Sequence, residues 1–167
     1  IPEWFWDISL NLVYDPDGKE SMQLRDYKDQ LLVLDFWGAY CKPCIKSLNK
    51  WDTLQRQFPD TVAVVGIHLF YPTKLAQPFA HKSNWSFPVA TGNHADTLMN
   101  SMFYAQRRFG QVWIKDGRLL AIPKSNAVSK ELIAAIIARI PVKIEMEESL
   151  TYFDPRLRST KSNISKP

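Results

Sequence analysis

Leu31-Leu32-Val33-Leu34-Asp35-Phe36-Trp37-Gly38-Ala39-Tyr40-Cys41-Lys42-Pro43-Cys44 decides the reading of this chain. Leu31–Trp37 is apolar on consecutive residues apart from one acid, the pattern of a central strand covered on both faces. Ile45, Leu48, Trp51 and Leu54 then recur at helical spacing, while Lys46, Lys50 and Arg56 fall on the other side. A strand, a short turn and a helix over about 42–57 therefore place Cys41 at a helix N-terminus. There unpaired N–H groups and the positive end of the helix dipole favour a thiolate. Cys44 lies one turn inward, positioned to attack a mixed disulfide formed at Cys41. These are the only 2 cysteines among 167 residues.

Two other readings of the pair carry less weight. Zinc needs further ligands at compatible spacing, and no two of His68, His81 and His94 lie close enough in sequence to supply the customary second pair. A structural disulfide closing so short a loop restrains the unfolded chain little. The histidines are expected in core or surface roles.

Composition narrows the class. Apolar residues make up 46% and aromatics 13%, enough to build one globular domain of this size. No uncharged apolar run is long enough to span a bilayer, and no signal-peptide pattern opens the chain. The chain begins at Ile1, which predicts a mature or excised segment. The net charge of +4 is carried entirely by Arg156, Arg158, Lys161 and Lys166 in the acid-free stretch 155–167, so the rest balances to zero. A basic tail on a neutral body is not a nucleic-acid footprint, and no nucleic acid is expected as a partner.

Outward from the motif, residues 8–13 alternate as a half-buried strand. Asp15-Pro16-Asp17-Gly18 is turn chemistry, and Ser21–Leu24 can return as the second arm of an N-terminal hairpin. Thr61–Leu69 contains a second buried strand, giving a βαβ unit with a parallel pair. Helices are expected over about 74–83 and 95–106. Asp116-Gly117 between Val112-Trp113-Ile114 and Leu119–Ile122 is a strong hairpin signal. Ser129–Ile140 carries one apolar stripe (Leu132, Ile133, Ile136, Ile137, Ile140) and is stopped by Pro141. The expected organisation is one domain over 1–141 followed by an irregular tail or linker over 142–167.

The Leu34–Cys44 segment resembles the active-site segment of the thioredoxin superfamily. The hairpin, the insertion at 70–106, Asn11-Leu12-Val13 with Asp17-Gly18-Lys19 and Leu24–Lys28, and Val112–Gly117 resemble its TlpA/ResA-like (redoxin) branch over about residues 5–140. The resemblance implies an α/β thioredoxin-like fold: a central mixed sheet flanked by helices, with an N-terminal β-hairpin and an insertion between the βαβ and ββα halves. It further implies an extracytoplasmic bacterial thiol–disulfide oxidoreductase of the periplasm or cell envelope, often a module of a larger or membrane-anchored protein. Its substrates would be protein thiols and disulfides, reset by an upstream redox partner. No cofactor is implied beyond the redox-active Cys41–Cys44 disulfide, and no metal.

By the same resemblance Cys41 is the nucleophile, Cys44 the resolving cysteine, and Pro43 the proline that holds the turn. Asp35, six positions before Cys41, matches a buried aspartate that relays a proton to or from the resolving thiol, the alternative being a carboxylate satisfied by backbone. Trp37 matches an aromatic that shields the dithiol, with simple core packing as the alternative. Trp37, Tyr40, Lys42 and Pro43 join Arg108, Phe109 and Gly110 as the expected substrate groove. The family carries a cis-proline just before the Val112 strand. Phe109 holds that place here, so a trans Arg108–Phe109 peptide is expected. A peroxiredoxin would require a Pro-x-x-x-Thr-x-x-Cys context, which Gly38-Ala39-Tyr40-Cys41 lacks. The remaining alternative is a binding or metal-delivery module on the same fold with an altered cis-proline loop. The direction of exchange is not encoded in the motif, since potentials on this fold range over about 150 mV, about 7 kcal/mol for two electrons.

Overall fold

A computed structural model of the chain describes residues 1–69, 73–91, 103 and 110–147. Its frame is a seven-stranded mixed sheet of order β2-β1-β5-β4-β3-β6-β7. The strands are β1 (Ser9–Tyr14), β2 (Ser21–Gln23), β3 (Leu31–Trp37), β4 (Val62–His68), β5 (Val89–Ala90), β6 (Gly110–Lys115) and β7 (Arg118–Ala121). β3 pairs with β4 in parallel and β4 with β5 in parallel, while β6, β7 and the β1–β2 hairpin run antiparallel to their neighbours. This is the mixed sheet with an N-terminal hairpin that the sequence predicts.

The period of two in β3 sorts its side chains between two cores. Leu32, Leu34 and Phe36 join Phe5, Trp6, Leu10, Leu24, Val65, Ile67, Val112 and Ile114 on one face of the sheet. Leu31, Val33 and Trp37 join Cys44, Leu48, Trp51, Leu54, Trp85, Phe87, Trp113, Ile133 and Ile136 on the other. Every residue of β3 and of β4 is buried, as strands covered on both faces must be. Asp35 has the parity of Val33 and Trp37, so the pleat turns it toward the helix that carries the cysteines. Gly66 and His68 of β4, and Gln111 and Trp113 of β6, share that side by the same alternation.

That helix is α2, Lys42–Gln57, over the span read from its periodicity. Cys44, Leu48, Trp51 and Leu54 are its buried stripe. Burying such side chains stabilises by about 1.5–3 kcal/mol each, which is what docks the helix on the sheet. α3 (Ala76–Ser83) follows a single 3-10 turn at Thr73–Leu75 and ends at Asn84, whose φ of 49° reverses the chain.

Both turns follow their chemistry. Asp15 Oδ2 accepts from the N–H groups of Asp17 (2.9 Å) and Lys19 (3.1 Å), and Gly18 takes φ 75°. Asp116 and Gly117 adopt φ 50° and 72°, the left-handed pair that a two-residue hairpin loop requires.

The structure departs from the sequence reading in several places. The last helix, α4, spans Lys130–Ile137 rather than Ser129–Ile140, with Ser129 as its N-cap accepting from Leu132 N–H at 3.1 Å. Arg139 turns left-handed at φ 58°, so Ile140 leaves the stripe and is 58% exposed. The first residues of the tail are attached to the body: residues 145–147 pair antiparallel with 122–124 through the Pro123–Met146 bridge. Among the described residues three elements have no counterpart in the sequence reading, one of them a 3-10 turn at Leu24–Tyr27. α1 (Glu3–Trp6) buries Phe5 and Trp6, and the two-residue β5 joins the N-terminal hairpin to the parallel strands. The helix expected over 95–106 falls, apart from the buried Phe103, outside the described residues.

Candidate active site

The turn Gly38–Cys41 brings the chain from the C-terminal end of β3 to the start of α2, closed by Cys41 N–H donating to Gly38 O at 2.9 Å. Cys41 is the N-cap of α2: its backbone is extended, and its Sγ accepts from Cys44 N–H at 3.2 Å. Pro43 fits the first turn, where its missing N–H is no loss. Cys41 and Cys44 are joined by a disulfide, with Cα atoms 5.2 Å apart. Cys41 is partly exposed and Cys44 buried, the asymmetry that an attacking and a resolving thiol require. Lys42 and Pro43 are exposed, and Tyr40 projects 85% exposed beside Cys41. Gly110 opens β6 opposite Phe36, half-buried. Arg108 and Phe109, and with them the expected trans peptide, lie outside the described residues.

Asp35 is 2% exposed. Burial pushes its carboxyl up to about 7, and the Ser47 hydroxyl, donating to Oδ2 at 2.8 Å, opposes that rise. Among the described residues the hydrogen-bond partner of this carboxylate is a side chain of α2 rather than the backbone. Ser47 stands one turn beyond Cys44 on the same helix. Beyond Ser47 the bonding continues: Gln111 Nε2 donates to Ser47 Oγ at 2.7 Å, and Trp113 Nε1 donates to Gln111 Oε1 at 3.0 Å.

Trp37 is wholly buried, edge-on to His68 (4.9 Å between ring centroids) and to Trp85 (5.4 Å). Gly66 makes room for it: a Cβ there would stand 3.2 Å from the indole Nε1. His68, at the end of β4, is 3% exposed. Its Nε2 accepts from Ala39 N–H at 3.3 Å, which ties the turn before Cys41 to β4. Burial pushes the imidazole below its usual range, so the ring is neutral and carries its hydrogen on Nδ1. Among the described residues, neither His68 Nδ1 nor Trp37 Nε1 has a hydrogen-bond partner. No three His, Cys, Asp or Glu side chains among the described residues are grouped to hold a metal ion.

Ser47 and Gln111 had no part in the sequence reading, and His68, expected in a core or surface role, is buried as a core residue whose ring bonds the turn before Cys41. The available signal was parity. Each of Gln111 and His68 is a polar residue in an otherwise apolar strand, on the face that Asp35 shares.

A disulfide at the head of a helix, docked on a mixed sheet of this order, points to a redoxin. A model of the AhpC/TSA family matches residues 5–106. The chain belongs to the AhpC/TSA family. Within that frame it is similar to the thiol-disulfide oxidoreductase ResA of Halalkalibacterium halodurans, 27% identical over 82 residues that cover 48% of this chain and 47% of ResA. It is also similar to the thioredoxin-like protein YneN of Bacillus subtilis, 30% identical over 73 residues, 42% of this chain and 43% of YneN. The match thus spans under half the length of either relative. Among solved structures, a secreted Mycobacterium tuberculosis disulfide oxidoreductase homologous to DsbE of E. coli superposes with a TM-score of 0.64 at 17% identity, covering 83% of this chain and 99% of that one. That likeness establishes the thioredoxin-like fold.

Proposed function

We propose that this redoxin is a thiol–disulfide oxidoreductase that reduces protein disulfides outside the cytoplasm. The observation that carries the proposal is the Cys41–Cys44 disulfide at the N-terminus of α2, with Asp35 buried on the sheet face below that helix. When an electron donor has reduced the pair, the helix N-terminus favours a thiolate at the more exposed Cys41. That thiolate attacks a substrate disulfide, forming a mixed disulfide and releasing one substrate thiolate. Cys44 loses its proton and attacks Cys41 Sγ. The second substrate thiol leaves, and the Cys41–Cys44 disulfide is restored, two electrons having passed to the substrate. Asp35, with a carboxyl that titrates near neutrality, is suited to take the proton from Cys44 and to return it on the reverse path. Tyr40, Lys42, Pro43 and Gly110 are the described part of the groove for the substrate chain. The names of ResA and of the secreted DsbE homologue support the activity and the extracytoplasmic setting.

The test is reduction of insulin disulfides with dithiothreitol as donor, alongside the Cys44→Ser variant. Wild type should accelerate the reaction. Cys44→Ser should stall as a mixed disulfide at Cys41, recoverable on a non-reducing gel. A pair that never cycles, together with Cys41-dependent binding of Cu(I), would replace this reading with the metal-delivery module.

A further inference from the structure

We infer that Gln111 and Trp113 are positioning residues for Asp35, the end of a one-way hydrogen-bond chain that aims the Ser47 hydroxyl at the carboxyl and favours its ionised form. The direction follows from what each group can do. The Trp113 indole nitrogen is a donor and never an acceptor, so the group facing it at 3.0 Å must be the Gln111 carbonyl oxygen. That choice turns the Gln111 amide nitrogen, donor only, toward Ser47 at 2.7 Å. The Ser47 oxygen is thereby an acceptor from Gln111, and its single hydrogen goes to Asp35 Oδ2 at 2.8 Å. An ionised Asp35 can only accept and completes the chain. A protonated Asp35 can still accept from Ser47 through its carbonyl oxygen, but a neutral acceptor holds that hydrogen more weakly than a carboxylate does, so a Ser47 hydroxyl committed to donating favours the ionised form. The chain therefore opposes the burial that holds the proton on Asp35.

The geometry is fixed by the fold. Asp35 and Gln111 are partners across the β3–β6 ladder, Trp113 follows on the same face, and Ser47 descends from α2. Trp113 is itself held edge-on against Trp51 of α2, ring centroids 5.6 Å apart. Among the described residues no charged group competes. From α2 the titratable groups nearby are Cys41 and Cys44, bonded to each other, while Lys42, Lys46 and Lys50 are exposed. From β4 there is His68, neutral, and from β6 only Lys115 at the far end, beside Asp116.

The inference builds on the proton-relay role proposed for Asp35, and two readouts keep the ideas apart. The first is the midpoint of the Asp35 carboxyl, followed by 13C NMR in the oxidised protein. Ser47→Ala should raise it by about half to one pH unit, the worth of one buried hydrogen bond. Trp113→Phe touches neither Asp35 nor Ser47 and keeps the ring against Trp51, yet it frees the Gln111 amide to flip and should raise the midpoint in the same direction. Gln111→Leu should do likewise, and Ser47→Ala with Gln111→Leu should shift it no further than Ser47→Ala alone. An unmoved midpoint in both Trp113→Phe and Gln111→Leu overturns the inference, whatever Asp35 does in catalysis. The second readout is the pH profile of resolution of a Cys41–glutathione mixed disulfide. Should Asp35→Asn leave that profile unchanged while Trp113→Phe moves the midpoint, the relay role falls and the positioning chain stands. The profile in Trp113→Phe should otherwise move with the midpoint, and a midpoint that moves downward refutes the stated direction.

Discussion

Asp35→Asn should make the oxidised protein more stable relative to wild type as the pH rises. The carboxyl titrates at about 7 in the fold, against an ordinary 3.8. Below 3.8 folded and unfolded chains are both protonated, and the group adds no pH dependence. Between those values the folded state keeps a proton that the unfolded state has released, so stability falls as pH rises, by about 1.4 kcal/mol per unit. Above 7 the loss is complete, at about 4 kcal/mol. Asp35 is 2% exposed, so water screens little of this. Asparagine keeps the shape and can still accept from Ser47 through its carbonyl oxygen, but it does not titrate. Whatever its extra N–H groups cost is the same at every pH. The difference between variant and wild type should therefore grow in the variant's favour by about 2.5 kcal/mol from pH 5 to pH 8. Urea unfolding at several pH values, with the disulfide intact so that no thiol titrates, measures it. A difference that changes by less than about 0.5 kcal/mol over that range, near the extrapolation error, would refute the claim that burial holds a proton on this carboxylate.

Other consequences are open to direct measurement. Gly66→Ala places a Cβ 3.2 Å from the Trp37 indole and should cost about 1–3 kcal/mol by overpacking, read as a lower Tm with altered tryptophan fluorescence. Asp52→Ala removes the acceptor for Ser86 N–H (2.6 Å), Ser86 Oγ (2.7 Å) and Arg56 Nε (3.0 Å), and should cost about 1–3 kcal/mol at neutral pH in denaturant unfolding. Burial alone would raise the Asp52 carboxyl, but the Ser86 and Arg56 hydrogen bonds outweigh it and hold it low. Its contribution is therefore present above the usual carboxylate range and fades on acidification through it, so the wild-type advantage over Asp52→Ala should shrink in acid. His68, depressed by burial, should stabilise the fold above 6.5 and lose that contribution as the pH falls below it. His68→Gln should flatten this acid limb of the unfolding profile, and an unchanged limb would show that another group produces it.

Sequence alone determined the local pieces of this protein and marked the two sulfurs that the structure joins at the head of α2. The apolar run of β3, the 3.6-residue stripe of α2 and the Asp-Gly turn are properties of neighbouring residues, so they can be read in order along the chain. The Cys-X-X-Cys spacing places two sulfurs at the head of a helix by backbone geometry alone. Elements too short to show a period escaped: Val89–Ala90 is a strand only because β1 and β4 flank it, and Arg139 ends α4 by a single left-handed residue that no periodicity marks. What only the tertiary structure decided is the environment of Asp35. Its partners Ser47, Gln111 and Trp113 lie up to 78 residues away along the chain and meet it because β6 pairs beside β3 and α2 crosses above both. A side chain's burial and its hydrogen-bond direction depend on what packs against it from distant segments, and those are the two quantities that set whether this carboxyl holds its proton.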